Sequence, residues 1–200
     1  MPYNNYEEFN AAKQACRDCY VGKVYDKVVP SDGNKIDPKV LIVGEAAGAD
    51  EILLSKPFVG KCGKLLRSTL NKYGFRRSNA LITNIMPCRP ENNKFPKEDE
   101  IVKNCVKKWL LEEIELTKPK YVLLIGATPL KFLGGQKGIT SLRGIWFDRY
   151  NKENILQYSY MPTYHPSYVL RKMYMEEGKQ IMVDFENDIK TVAIRTGFIK

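Results

Sequence analysis

Lys39-Val40-Leu41-Ile42-Val43 runs directly into Gly44-Glu45-Ala46-Ala47-Gly48, and this junction decides how the chain reads. The run is continuously apolar instead of alternating, the pattern of a strand buried on both faces, and it stops abruptly at a glycine. The same pattern recurs at Ala80–Asn84 (ALITN), at Tyr121–Ile125 before Gly126, and at Ser159–Thr163 before Tyr164-His165. Between these strands lie segments with helical spacing. Leu65, Leu66, Thr69 and Leu70 predict a helix over Lys61–Tyr73 that closes at Gly74; Ile101, Cys105, Trp109 and Glu112 predict one over Glu98–Thr117; Thr128–Leu133 is shorter and stops at Gly134-Gly135. Strands alternating with helices in this way predict an α/β fold: three αβα layers around a central four-stranded parallel sheet, with residues 1–200 forming a single domain.

The flanking segments are less regular. Residues 1–15 read as a short amphipathic helix with Tyr6, Phe9 and Ala12 on one side. Tyr20 to Pro38, with the turn Ser31-Asp32-Gly33-Asn34, reads as a hairpin or an extended connection. A loop is expected up to Gly60, a proline-punctuated polar loop over 87–96, a hairpin within 139–158, and a final helix with a basic tail over Met173–Lys200.

In parallel sheets flanked by helices, ligands sit beyond the carboxyl ends of the strands. Four ends should therefore converge: Gly44-Glu45, Asn84, Gly126 and Tyr164-His165. His165 is the only histidine in 200 residues. The segment that follows it, Pro166-Ser167-Tyr168-Val169-Leu170-Arg171, places an aromatic, two aliphatics and an arginine in succession, which argues for half of an active site sharing a pocket with Glu45 and Asn84.

Thirty-two Lys and Arg against 23 Asp and Glu give a formal charge of +9, which favours a polyanionic partner such as nucleic acid. No run of about 18 apolar residues is present and the N-terminus lacks an apolar core segment, so a soluble, cytoplasmic protein without a membrane partner is expected. Five cysteines (Cys16, Cys19, Cys62, Cys88 and Cys105) make a disulfide framework an unattractive reading and raise the question of metal. Their spacing alone leaves zinc and iron-sulfur both open.

Taken together, these motifs resemble the uracil-DNA glycosylase superfamily, specifically its family 4, the iron-sulfur branch. The matching stretches are Gly44-Glu45-Ala46-Ala47-Gly48-Ala49-Asp50-Glu51, Lys56-Pro57-Phe58-Val59-Gly60, Ile82-Thr83-Asn84 with Cys88-Arg89-Pro90, and His165-Pro166-Ser167 through Leu170-Arg171. They occur in the family's order and cover roughly Cys16 to Arg171. The chain departs from the family at Ala47, where proline is usual, and at Cys62, where a small residue such as alanine is usual. It also lacks the histidine after the Phe58 motif by which related enzymes attach covalently to DNA.

The resemblance implies a monofunctional enzyme, expected to be monomeric, that acts on uracil in single- or double-stranded DNA. The uracil nucleotide would be flipped out of the stack and its N-glycosidic bond hydrolysed, leaving an abasic site. Phe58 would stack on the base, Asn84 would read the N3-H and O4 edge, and Glu45 would position or activate the attacking water. His165, with backbone N–H groups at Ala46 and Ala47, would stabilise charge on the departing O2. Glu51 would lie near C5 and help exclude thymine. Arg89, Lys94, Leu170 and Arg171 would contact DNA, Leu170 filling the gap left by the flipped nucleotide and Arg171 bonding phosphate. Cys16, Cys19, Cys88 and Cys105 would ligate a 4Fe-4S cluster that ties the N-terminal segment to the loop after Asn84. Two competing readings are a non-catalytic nucleic-acid-binding accessory module that retains the fold and cluster, and a redox protein. The intact Glu45, Asn84 and His165 argue against the first, and the lack of any flavin or nicotinamide fingerprint argues against the second.

Overall fold

A computed structural model describes residues 2–25, 27–91 and 95–200. Strands β2 (Val40–Ala46), β3 (Ala80–Met86), β4 (Tyr121–Ile125) and β6 (Leu156–Thr163) pair in parallel. Two antiparallel strands, β1 (Asp32–Gly33) and β5 (Phe147–Tyr150), close the edges, giving a six-stranded mixed sheet of order β1-β3-β2-β4-β6-β5. This corrects the expected four-stranded parallel sheet. β1 is two residues long and too short to leave a hydrophobic pattern, and β5 faces largely outward. The expected hairpin and the expected fourth strand are also one unit, because β6 begins at Leu156, where its exposed first residues pair with β5.

The continuous apolar runs now have their reason. Along β2, Val40 and Ile42 enter one core while Leu41 and Val43 enter another on the opposite face. The first core is covered by α4 (Lys61–Lys72), α9 (Pro166–Lys172) and α10 (Gly178–Thr196), through Leu66, Leu70, Val169, Phe185 and Ile189. The second is covered by a helical run over 98–117, through Ile101, Val106, Leu110 and Ile114. That run comprises α5 (Glu98–Ile101), a π-helical segment (Val102–Leu110) and α6 (Leu111–Thr117), so the single expected helix is interrupted by wider turns around Cys105. α1 (Tyr6–Gln14) joins this second layer, and α7 (Ala127–Phe132) follows β4.

Three short helices stand where loops or hairpins were expected: α2 (Tyr20–Tyr25), α3 (Ala49–Leu54) and α8 (Ile139–Leu142). α3 buries none of its residues and leaves Leu53 and Leu54 exposed, so no apolar stripe announces it. On α1 the buried residues are Phe9 and Lys13, not Ala12. Lys13 is 2% exposed and pairs at 2.8 Å with Glu113, which is fully buried. Ser31 and Thr83 donate to the Glu113 carboxylate at 2.6 and 3.0 Å, and the Tyr6 hydroxyl donates at 2.5 Å. Burial alone would raise the Glu113 carboxyl; the Lys13 charge and these hydrogen bonds outweigh it and hold Glu113 below the ordinary carboxylate range. Among the described residues no helix is long and apolar enough to cross a membrane.

Candidate active site

The carboxyl ends of the parallel strands open onto a cavity of about 640 Å3. Its wall includes Glu45 and Ala46 at the end of β2, Ala47 just beyond, Asn84 on β3, and His165 after β6. Gly126, at the end of β4, stands behind this wall. A methyl group there would approach His165 Cβ to 2.9 Å, and its φ of +98° is one that glycine adopts freely.

Phe58 comes in from the loop before α4. Its backbone has a φ of +54°, rare for a bulky residue, and its ring lies 6.4 Å from the imidazole of His165, centroid to centroid. Gly44 makes this approach possible, since a methyl group on it would come within 2.3 Å of Asn84 Oδ1 and 2.4 Å of the Phe58 ring. Asn84 is 5% exposed, and its Oδ1 is buried without a hydrogen-bond partner among the described residues. A buried acceptor left open is costly in the free protein and suits a ligand that brings a donor.

His165 caps the N-terminus of α9. Its Nδ1 accepts from the backbone N–H of Ser167 at 3.1 Å and lies 2.7 Å from Ser167 Oγ. An accepting Nδ1 assigns the proton to Nε2. Burial, assisted by the Arg171 charge, pushes the imidazole down to about 4, so it is neutral at pH 7. Glu45 responds to burial in the opposite direction: its carboxyl lies above the usual range, partly offset by a hydrogen bond from Thr128 at the start of α7.

Glu51 also lines the cavity, but its carboxylate is engaged with the backbone. Oε1 accepts from Val59 N at 2.8 Å and Gly60 N at 2.9 Å, and Oε2 accepts from Gly48 N at 3.1 Å. It therefore ties two loops together, an arrangement suited to shaping the wall. Arg171 borders the cavity and reaches Ser167 Oγ at 3.4 Å, and Cys62 is in the wall as well. Leu170 and Arg89 are half-buried and lie outside the wall, while Lys94 lies outside the described residues. Phe95, Ser167 and Thr128 were not anticipated. Only Ser167 left a usable signal, two residues past the histidine at a helix start.

All five cysteines are reduced. Burial raises the Cys88 thiol to about 12, with further contributions from Cys19 and Cys16; Cys105 also rises to about 12 through burial and the proximity of Cys19, Cys88 and Cys16. Trp109 Nε1 donates to Cys16 Sγ at 3.3 Å. Among the described residues no three His, Cys, Asp or Glu side chains gather tightly enough to hold one metal ion.

The family model described as the uracil DNA glycosylase superfamily matches residues 30–190. A type-4 uracil-DNA glycosylase of Thermotoga maritima is 34% identical over 173 residues, 86% of this chain and 86% of its own. A type-4 uracil-DNA glycosylase of Pyrobaculum aerophilum is 36% identical over 162 residues, 78% of this chain and 80% of its own. One from Sulfurisphaera tokodaii is 33% identical over 181 residues, covering 84% and 79%. With both the sheet and the cavity inside the matched region, the chain belongs to the uracil DNA glycosylase superfamily, on its type-4 branch.

Proposed function

We propose that this chain is a DNA-repair glycosylase that flips deoxyuridine out of single- or double-stranded DNA and hydrolyses its N-glycosidic bond, releasing uracil and leaving an abasic site. The observation that carries this reading is the unpartnered Asn84 Oδ1 beside the Phe58 ring and a neutral His165, all in one cavity.

The flipped base stacks on Phe58. Asn84 Oδ1 accepts the uracil N3-H, and its amide donates to O4. Cytosine presents the reverse pattern on this edge and leaves buried groups unpaired, which is how such a site discriminates strongly. As the glycosidic bond lengthens, charge develops on O2. The neutral Nε2–H of His165 and the N–H groups of Ala46 and Ala47 stabilise it without a proton having to move. Glu45, held by Thr128, orients the water that attacks the sugar, whose transition state has oxocarbenium character. Arg171, at the cavity mouth, bonds phosphate; Leu170, Arg89 and Lys94 contact the flanking DNA. Glu51 shapes the wall on the C5 side through the backbone it holds.

Cys16, Cys19, Cys88 and Cys105 would hold the 4Fe-4S cluster. What supports this ligand set is that Cys105 and Cys88 feel the charge of Cys16 and Cys19, and that the Trp109 bond to Cys16 is of the kind that tunes a ligand sulfur. When bound, the cluster supplies cross-linking between the N-terminal segment and the loop after β3, not chemistry at the sugar.

The test is incubation with end-labelled DNA carrying one uracil, followed by alkali. Scission at the uracil is expected on at least one of the single- and double-stranded substrates; intact strands on both would refute the proposal.

A further inference from the structure

Arg67 lies on α4 outside the cavity wall, yet its guanidinium is committed to the loop that carries Phe58. Its Nε donates to Phe58 O at 2.9 Å, and its Nη2 donates to Pro57 O at 2.7 Å and to Asp32 Oδ2 at 2.9 Å. Asp32, on the edge strand β1, is 7% exposed, and its other oxygen pairs with Arg77 at 2.7 Å. Across the same loop, the Glu51 carboxylate takes the N–H groups of Val59 and Gly60. Residues 57–60 thus have two carbonyls held by one cation and two amides held by one anion. Gly63 lets the loop lie directly on α4, since a methyl group there would meet the Phe58 carbonyl carbon at 2.0 Å.

We infer that Arg67, anchored by Asp32 on the edge strand, is a positioning residue that sets the Phe58 ring for stacking on the flipped base. This rests on the uracil-excising reading above. Phe58 sits at a backbone angle that a bulky residue holds only when its surroundings impose it, and Arg67 is the side chain that grips its carbonyl. The planar fork matters, because three acceptors in different directions need donors in a fixed geometry, which a lysine ammonium lacks. The two-residue strand β1, a connector in the sequence pattern, becomes through Asp32 part of the base-stacking apparatus.

Two measurements on the full-length, cluster-loaded protein test this. The first is a double-mutant cycle in single-turnover uracil release. Arg67→Met should slow release roughly tenfold or more in the parent and less than about twofold in a Phe58→Leu background, because its effect passes through the ring. Asp32→Asn should reproduce a smaller part of the loss, with the same dependence on Phe58. Equal fold-losses in both backgrounds would overturn the inference. The second labels the eight phenylalanines with fluorine for 19F NMR, with the Phe58 resonance assigned by its disappearance in Phe58→Leu. Arg67→Met and Asp32→Asn should move that resonance, and an unmoved one overturns the inference. If Arg67→Met does not fold, Arg67→Lys serves in both measurements and should give an intermediate loss. The NMR experiment reads the loop whether or not uracil is released. A protein that leaves uracil DNA intact while its Phe58 resonance shifts would sink the proposed activity and leave the clamp standing.

Discussion

Thr83 and Asn84 are consecutive on β3 and lie on opposite faces of the sheet, where their polar groups are treated in opposite ways. Thr83 bonds Glu113 within a cluster that also takes Lys13, Ser31 and Tyr6, and every one of these side chains finds a partner. Asn84 keeps its Oδ1 buried beside Gly44 and Phe58, without a hydrogen-bond partner among the described residues. Both groups are buried, so exposure does not distinguish them; hydrogen-bond satisfaction does. The first cluster consumes its polarity in fastening α1 to the sheet and to α6. The second leaves its acceptor open, as the proposed recognition of uracil requires.

The sharpest way to break this comparison is at Lys13. Lys13→Met should cost about 3–5 kcal/mol of stability by stranding Glu113, while Lys13→Met/Glu113→Leu should recover most of it. Urea unfolding reads both, and uracil release per folded molecule should stay near the parent value. A large loss of rate in the folded fraction would show that the two faces are not separate. Asn84→Ala should behave in the reverse manner. Release slows about 10²- to 10³-fold, the magnitude typical of losing one preorganised polar contact, while the unfolding midpoint holds or rises because an unsatisfied acceptor has gone. Phe58→Leu follows, with a loss of about 1–3 kcal/mol in kcat/KM from stacking.

A further effect is one of pH. The His165 imidazole titrates near 4 in the folded chain and near 6.5 when unfolded, so the unfolded state takes the proton first. Its contribution to stability is complete above pH 6.5 and is lost as pH falls from 6.5 toward 4. His165→Gln should flatten that part of the stability curve. In the parent, uracil release should show no acid limb at 6.5; an acid limb that disappears in Glu45→Gln would instead report the raised Glu45 carboxyl.

The central strands were legible because burial on both faces writes an unbroken apolar run, and the strand-end positions of Glu45, Asn84 and His165 followed from that. β1 was not legible, since Asp32-Gly33 carries no periodicity, and neither was α3, whose leucines face solvent. Within the site, residues that project into the cavity announced themselves by type and position. Arg67 and Thr128 did not, being ordinary polar residues whose partners are far away in sequence or are main-chain atoms, and Glu51, legible from its motif, gave no sign of its bonds to the backbone of Gly48, Val59 and Gly60.

The wide turns over Val102–Leu110 carry a consequence for length variation. The helical run has to serve two destinations, Cys105 toward the other cysteines and, eight residues later, Glu113 toward Lys13. In an uninterrupted α-helix, eight steps of about 100° leave two side chains about 80° apart in azimuth, and wider turns shorten each step and change that phase. Removing one residue from these wide turns would let them relax to regular α-helix with little change in the phase of the flanking segments, because wider turns hold about one more residue over the same rotation. The segment therefore acts as a phase adjuster between the cysteine group and the buried ion pair, taking up an extra residue without turning either destination away.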